Sequence, residues 1–145
     1  MFEAEMSLNL GDVFYRWVNF ESEPHNKYFI FVAKKPKRFF FINSSIPPFI
    51  LRNPQLTAQQ VEVPSTSHSF LSHDSYANCV MIVDTSEIRN VEDFHSIPEN
   101  DKCGCVTLNV LEAIYEAVRV NETLDEEVRE EIESQLKSEI DTRKP

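Results

Sequence analysis

Two apolar runs on either side of a Lys-Pro-Lys tip constrain this chain more than any other feature: residues 27–34 (KYFIFVAK) and 38–43 (RFFFIN). Period-2 alternation is nearly absent from both. A strand that reads as continuously apolar needs cover on both faces, because successive side chains point to opposite sides. Lys35-Pro36-Lys37 reads as a tight turn. The pair therefore predicts a buried antiparallel hairpin whose tip is basic. Only two glycines occur in 145 residues, so few positions take a positive φ freely, and a Gly-rich phosphate loop is not expected.

Residues 11–20 (GDVFYRWVNF) read as a strand opened by a Gly-Asp turn signal. Residues 21–26 are polar, contain Pro24 and read as a loop. Three prolines and weak periodicity make residues 44–60 a long loop with a helical turn near Thr57. A short strand is expected at 61–64, a polar loop at 65–75, a strand at 76–83, and a short strand or turn around Ile88. From Thr107 the pattern changes. Leu108, Leu111, Ile114, Tyr115 and Val118 recur at helical spacing, which predicts a docked helix over 108–120 capped by Thr107. Thr123 with Glu126 three residues on is a capping-box pattern. It predicts a second helix over 124–141 with a narrow stripe of Leu124, Val128, Ile132, Leu136 and Ile140. That stripe suits light packing on the domain, pairing with a partner, or extension into solvent.

Short strands at close spacing with C-terminal helices predict a mainly β, α+β fold: a small SH3-like barrel in residues 1–121 and an acidic helical extension in 122–145. No apolar stretch is long enough to span a membrane. Acids stand near the N-terminus where a signal peptide carries Lys or Arg, so a cytoplasmic location is expected. Three cysteines, two of them flanking Gly104, do not form a disulfide framework. Cys103-Gly104-Cys105, with Asp93 and His95 upstream, lacks the second cysteine pair of a structural zinc site, so no metal is expected.

Charge is segregated within a net −10. Residues 122–141 hold nine acids against Arg129 and Lys137. Lys34, Lys35, Lys37 and Arg38 form the one basic run. With Phe39 to Phe41 beside it, that run is a candidate RNA contact through phosphates and stacking; a solvated hairpin tip is its plainer reading. An acidic tail folding over this patch as a built-in restraint follows from the same segregation.

The order of several short motifs resembles the PemK/MazF-like toxin family. Gly11-Asp12-Val13 is similar to the family's opening strand. Asn26 to Val32 stands where the family carries a basic residue, usually arginine, followed by proline; here the pair is Lys27-Tyr28. Phe41-Ile42-Asn43-Ser44-Ser45 resembles the strand that ends in a catalytic Ser or Thr. Asp74-Ser75-Tyr76-Ala77 resembles a later strand start, and the segment from Gly104 to Leu111 resembles the end of the fold. The likeness covers roughly residues 9–120. It implies a PemK-like barrel, commonly dimeric, that cuts single-stranded RNA without metal or other cofactor in a toxin–antitoxin or defence system. It also implies an antitoxin-like protein partner.

Such cleavage uses the ribose 2′-hydroxyl as nucleophile. It needs a base, a cation for the developing charge and an acid for the leaving oxygen. The resemblance makes Lys27 the cation and Ser44 or Ser45 the hydroxyl at the phosphate. His25, two residues from Lys27, and His73, beside Asp74, are candidate proton carriers because imidazole titrates near neutrality; His68 is a weaker one. Each also has an ordinary structural reading: a solvated lysine at a strand start, serines closing a turn, histidines exposed in polar loops. The rival function is a catalytically inactive SH3-like module that binds a protein partner through the barrel or the acidic helix.

Overall fold

The computed structural model describes residues 8–18, 25–83 and 102–145, leaving aside the side chains of residues 16–18, 25 and 26. Among these stand six strands: β1 (Asp12–Val18), β2 (His25–Lys34), β3 (Lys37–Asn43), β4 (Gln60–Val63), β5 (Ser75–Asn78) and β6 (Lys102–Cys105). Two short helices, α1 (Pro48–Leu51) and α2 (Pro54–Thr57), precede β4, and α3 (Leu108–Arg119) and α4 (Glu126–Arg143) close the chain. The strands form one sheet in the order β4-β5-β3-β2-β1-β6, and every neighbouring pair is antiparallel. The sheet curls into a half-barrel with β4 and β6 at its edges. The fold is thus mixed α+β, a small β-barrel-like sheet with C-terminal helices.

The hairpin forms as its composition dictates. Phe29 pairs with Phe41 and Ile30 with Phe40. Phe29 and Ile30, successive residues facing opposite sides, are both fully buried, so both faces of the sheet are covered. One face carries a packed ring cluster, with Phe31 stacked on Phe39 at 5.0 Å and Phe29 edge-on to Phe39 at 5.3 Å. Register shifts at Phe31/Ala33 and at Val13/Phe14 add local twist to the sheet. At its start Gly11 takes φ +99, donates to Phe31 O and accepts from Val106 N. Asp12 is buried and its carboxylate accepts from Asn9 N at 2.8 Å and meets Lys102 Nζ at 3.3 Å.

Several expectations need correction. β2 begins at His25, so the expected loop gives up its last two residues to the strand; residues 21–24 and the expected element around Ile88 lie outside the described residues. The loop at 44–60 contains two helical turns instead of one, each with proline at its first position, where the missing N–H is not needed. The strand expected over 76–83 ends at Asn78. Asn78 Oδ1 accepts from Val80 N at 3.1 Å, a local turn that competes with the ladder. Gly104 lies inside β6. Thr123 does not cap α4, which starts after Asp125 with no side-chain cap. Thr123 Oγ1 bonds instead to Val80 O and Asn121 Oδ1.

Of the arrangements open to the acidic helix, it packs on the domain. Ile132, Leu136 and Ile140 are buried in the same core as Leu111 and Ile114. Buried Asn121 fastens the α3–α4 link, donating to Gln59 Oε1 and Cys79 O and accepting from Thr123 N and Leu124 N. Arg143 reaches back to Leu10 O at 2.6 Å.

Candidate functional site

The groove of interest lies at the sheet end where β2 begins and β3 finishes. It measures about 170 Å³ and is lined by Tyr15, Lys27, Tyr28, Ile42, Ser44, Leu71, Ser72, His73 and Ser75. Three of the sequence-derived candidates, Lys27, Ser44 and His73, therefore share one concavity. Ser45 is exposed and lines no part of it. The backbone of His25 opens β2; its side chain lies outside the description.

Strand alternation explains the layout. Tyr15 pairs with Tyr28 and Tyr28 with Ile42, so these three share a face, and Ser44 follows Ile42 just past the end of β3. Lys27 belongs by alternation to the other face, with Phe29, Phe41 and Asn43. It nonetheless contributes to the lining of the groove. Its ammonium bonds Asn43 Oδ1 and sits 5.7 Å over the Phe41 ring. Burial of the amine pulls its pKa below the ordinary lysine value, because desolvation penalises the charged form.

The loop before β5 carries the histidine. His73 Nδ1 lies 3.0 Å from Asp74 O. A carbonyl only accepts, so Nδ1 carries a proton, and in the neutral ring Nε2 then keeps its lone pair. The carbonyl of Asp74, rather than its carboxylate, thus orients the ring. That carboxylate is spent elsewhere, accepting from Ser65 N at 2.9 Å and from Ser65 Oγ at 3.1 Å. Those two bonds, more than the nearby His73, hold the Asp74 pKa below the ordinary carboxylate value. Buried Ser75 Oγ donates to His73 O at 3.3 Å, which pins the loop at its base.

Two tyrosines that pattern reading passed over complete the groove. Tyr15 and Tyr28 pack with ring centroids 4.4 Å apart, and Tyr28 Oη donates to Phe70 O at 2.9 Å. Burial, then the Cys103 thiol and Tyr15, raise the Tyr28 phenol above its usual pKa, so it remains a donor. The signal available in the sequence was their alternation with Lys27 and Arg16 across β1 and β2, which register alone could convert into neighbours.

The remaining candidates stand apart. His68 is 2 % exposed; its Nδ1 donates to Pro64 O at 2.7 Å and its Nε2 accepts from Thr107 N at 3.1 Å. It ties the loop to the start of α3. The basic tip is at the far end of the hairpin, seven residues along β2 from Lys27, or roughly 23 Å at ~3.3 Å per residue. Lys34 and Lys35 are exposed and Lys37 is half-buried, while Arg38 pairs with Glu131 of α4 at 2.8 Å. Gln135 accepts from Lys34 N at 2.7 Å and donates to Lys35 O at 3.0 Å, so the acidic helix does lie against the basic tip. Cys79, Cys103 and Cys105 are free thiols. Burial pushes the Cys103 thiol up to about 11, which makes it a poor nucleophile at neutral pH. Asp93 and His95 lie outside the described residues. Among the described residues no three metal-binding side chains cluster, and no helix is long and apolar enough to cross a membrane.

Comparison with protein-family models and with curated proteins finds no match to this chain.

Proposed function

We propose that the chain is a divergent PemK/MazF-like protein that cleaves single-stranded RNA without a metal, using the groove between the start of β2 and the end of β3. The observation that supports this most is the convergence of Lys27, Ser44 and His73, from three separate segments, on that groove. In this reading the scissile phosphate sits in the groove and accepts a hydrogen bond from the Ser44 hydroxyl. His73 Nε2 takes the proton of the ribose 2′-hydroxyl as that oxygen attacks phosphorus. The bond from phosphorus to the 5′-oxygen breaks. Lys27, drawn from Asn43 to the phosphate, stabilises the charge that builds on the phosphoryl oxygens and gives a proton to the leaving oxygen. Its lowered pKa suits it to that transfer. The products are a 2′,3′-cyclic phosphate and a 5′-hydroxyl.

The test is cleavage of mixed-sequence single-stranded RNA by the full chain in EDTA. Replacing the substrate riboses by 2′-deoxyriboses should abolish cutting. Equal cutting of the deoxy substrate would remove the internal nucleophile from the account.

A second reading, a protein-binding module, has its own observation. Edge strand β4 borders an apolar groove against α3, lined by Ala58, Val61, Ala117 and Val120 among others. Val120 is 58 % exposed there. An added strand on β4 would pair with the edge that no described strand occupies. A charged substitution at Val120 should then weaken partner binding and leave RNA cleavage unchanged.

A further inference from the structure

We infer that the ring of Tyr15 is a stacking platform for a nucleobase next to the phosphate in the groove; this rests on the groove being an RNA site. Tyr15 is 44 % exposed, although it lies in the middle of β1, where large aromatic residues are ordinarily covered. The ring is not loose. Tyr28 supports it at 4.4 Å, Tyr28 is held by Phe70 O, and the Phe70 ring stands 5.8 Å from that of Tyr28. A ring fixed beforehand loses little conformational freedom when a flat ligand lands on it.

Position points the same way. Tyr15 lines the same groove as Lys27 and Ser44, and of the two tyrosines lining it Tyr15 is exposed while Tyr28 is half-buried. Stacking on a π-face is tolerant of base identity. Tyr15 therefore contributes affinity and position, with little sequence preference.

The test uses the full chain and hexauridylate carrying 2′-O-methyl riboses, which blocks cleavage, beside a hexamer of the same backbone lacking its bases. Fluorescence anisotropy at low salt gives both affinities. Tyr15→Ala should weaken binding of the base-bearing hexamer by about fivefold or more, the range for a lost base–aromatic stack. Its affinity for the baseless hexamer should stay within twofold of wild type, and Tyr15→Trp should restore the base-bearing affinity. Equal weakening for both hexamers, or none for either, overturns the stacking role while leaving the groove reading intact. If the wild-type chain binds neither hexamer, the groove reading itself falls, and the stack with it. Circular dichroism of each variant separates these outcomes from misfolding.

Discussion

A Cβ on Gly104 would stand 2.5 Å from Cδ1 and 3.0 Å from Cε1 of Phe70, closer than packed side chains tolerate. Gly104 is therefore glycine because a ring lies on its backbone, and that ring supports Tyr28 and the loop leading to His73. Gly104→Ala should destabilise the fold by about 1–3 kcal/mol, as overpacking does, measured by urea denaturation. The double variant Gly104→Ala/Phe70→Ala should lose less than the sum of the two single losses, because the clash is then gone. Lys27 makes the opposite prediction. Its folded-state pKa lies below the unfolded value of 10.5, so the unfolded chain binds more protons in that interval and stability rises with pH up to about 10.5. Lys27→Met should flatten that alkaline rise. It should also cost at most about 1 kcal/mol at neutral pH, since a half-buried charge is removed along with its one bond. Asp74 has the same sign in a lower window: its depressed pKa gives stability that is present above the ordinary carboxylate range and is lost as pH falls through the depressed folded value.

The hairpin and α3 could be read from residues alone because each announces itself locally, the first by uninterrupted aromatic runs about a Pro turn, the second by helical spacing after a capping threonine. Thr107 Oγ1 does accept from Val110 N. β6 could not. Lys-Cys-Gly-Cys has no periodicity, and it is a strand only because β1 offers it an edge. Asn78 likewise ends β5 through its own side chain, which composition does not reveal. For α4 the stripe was plain, but where it lands depends on tertiary packing. Ile132 and Leu136 are fully buried, so α4 is part of the core and not a detachable clamp. Leu136→Ala should cost about 2–5 kcal/mol. Glu131→Gln, which frees half-buried Arg38 at the hairpin tip, should cost no more than about 1 kcal/mol. If α4 restrains the basic tip, Glu131→Gln also raises RNA affinity at low salt; Leu136→Ala raising it equally would mean unfolding, not release.

At the scale of the molecule, the basic run and the candidate groove occupy opposite ends of one hairpin. The basic tip sits under an acidic helix, and the groove with Ser44 and His73 sits where the strands open. A chain of net −10 repels RNA on average, so binding must come from local contacts and weaken as their number of phosphates and the salt dictate. The sequence points to strand ends, where β2 starts and β3 stops, and register brings those ends together. It could not foresee that alternation turns Lys27 toward Asn43, or that two tyrosines wall the groove. The decisive measurement is the rate at which purified full-length chain cuts single-stranded RNA in EDTA, compared with His73→Ala. The account predicts cleavage ending in 2′,3′-cyclic phosphates and a loss of about 10²–10⁴-fold on removing the imidazole. No cleavage by the folded wild-type chain, or an equal rate for His73→Ala, would contradict it.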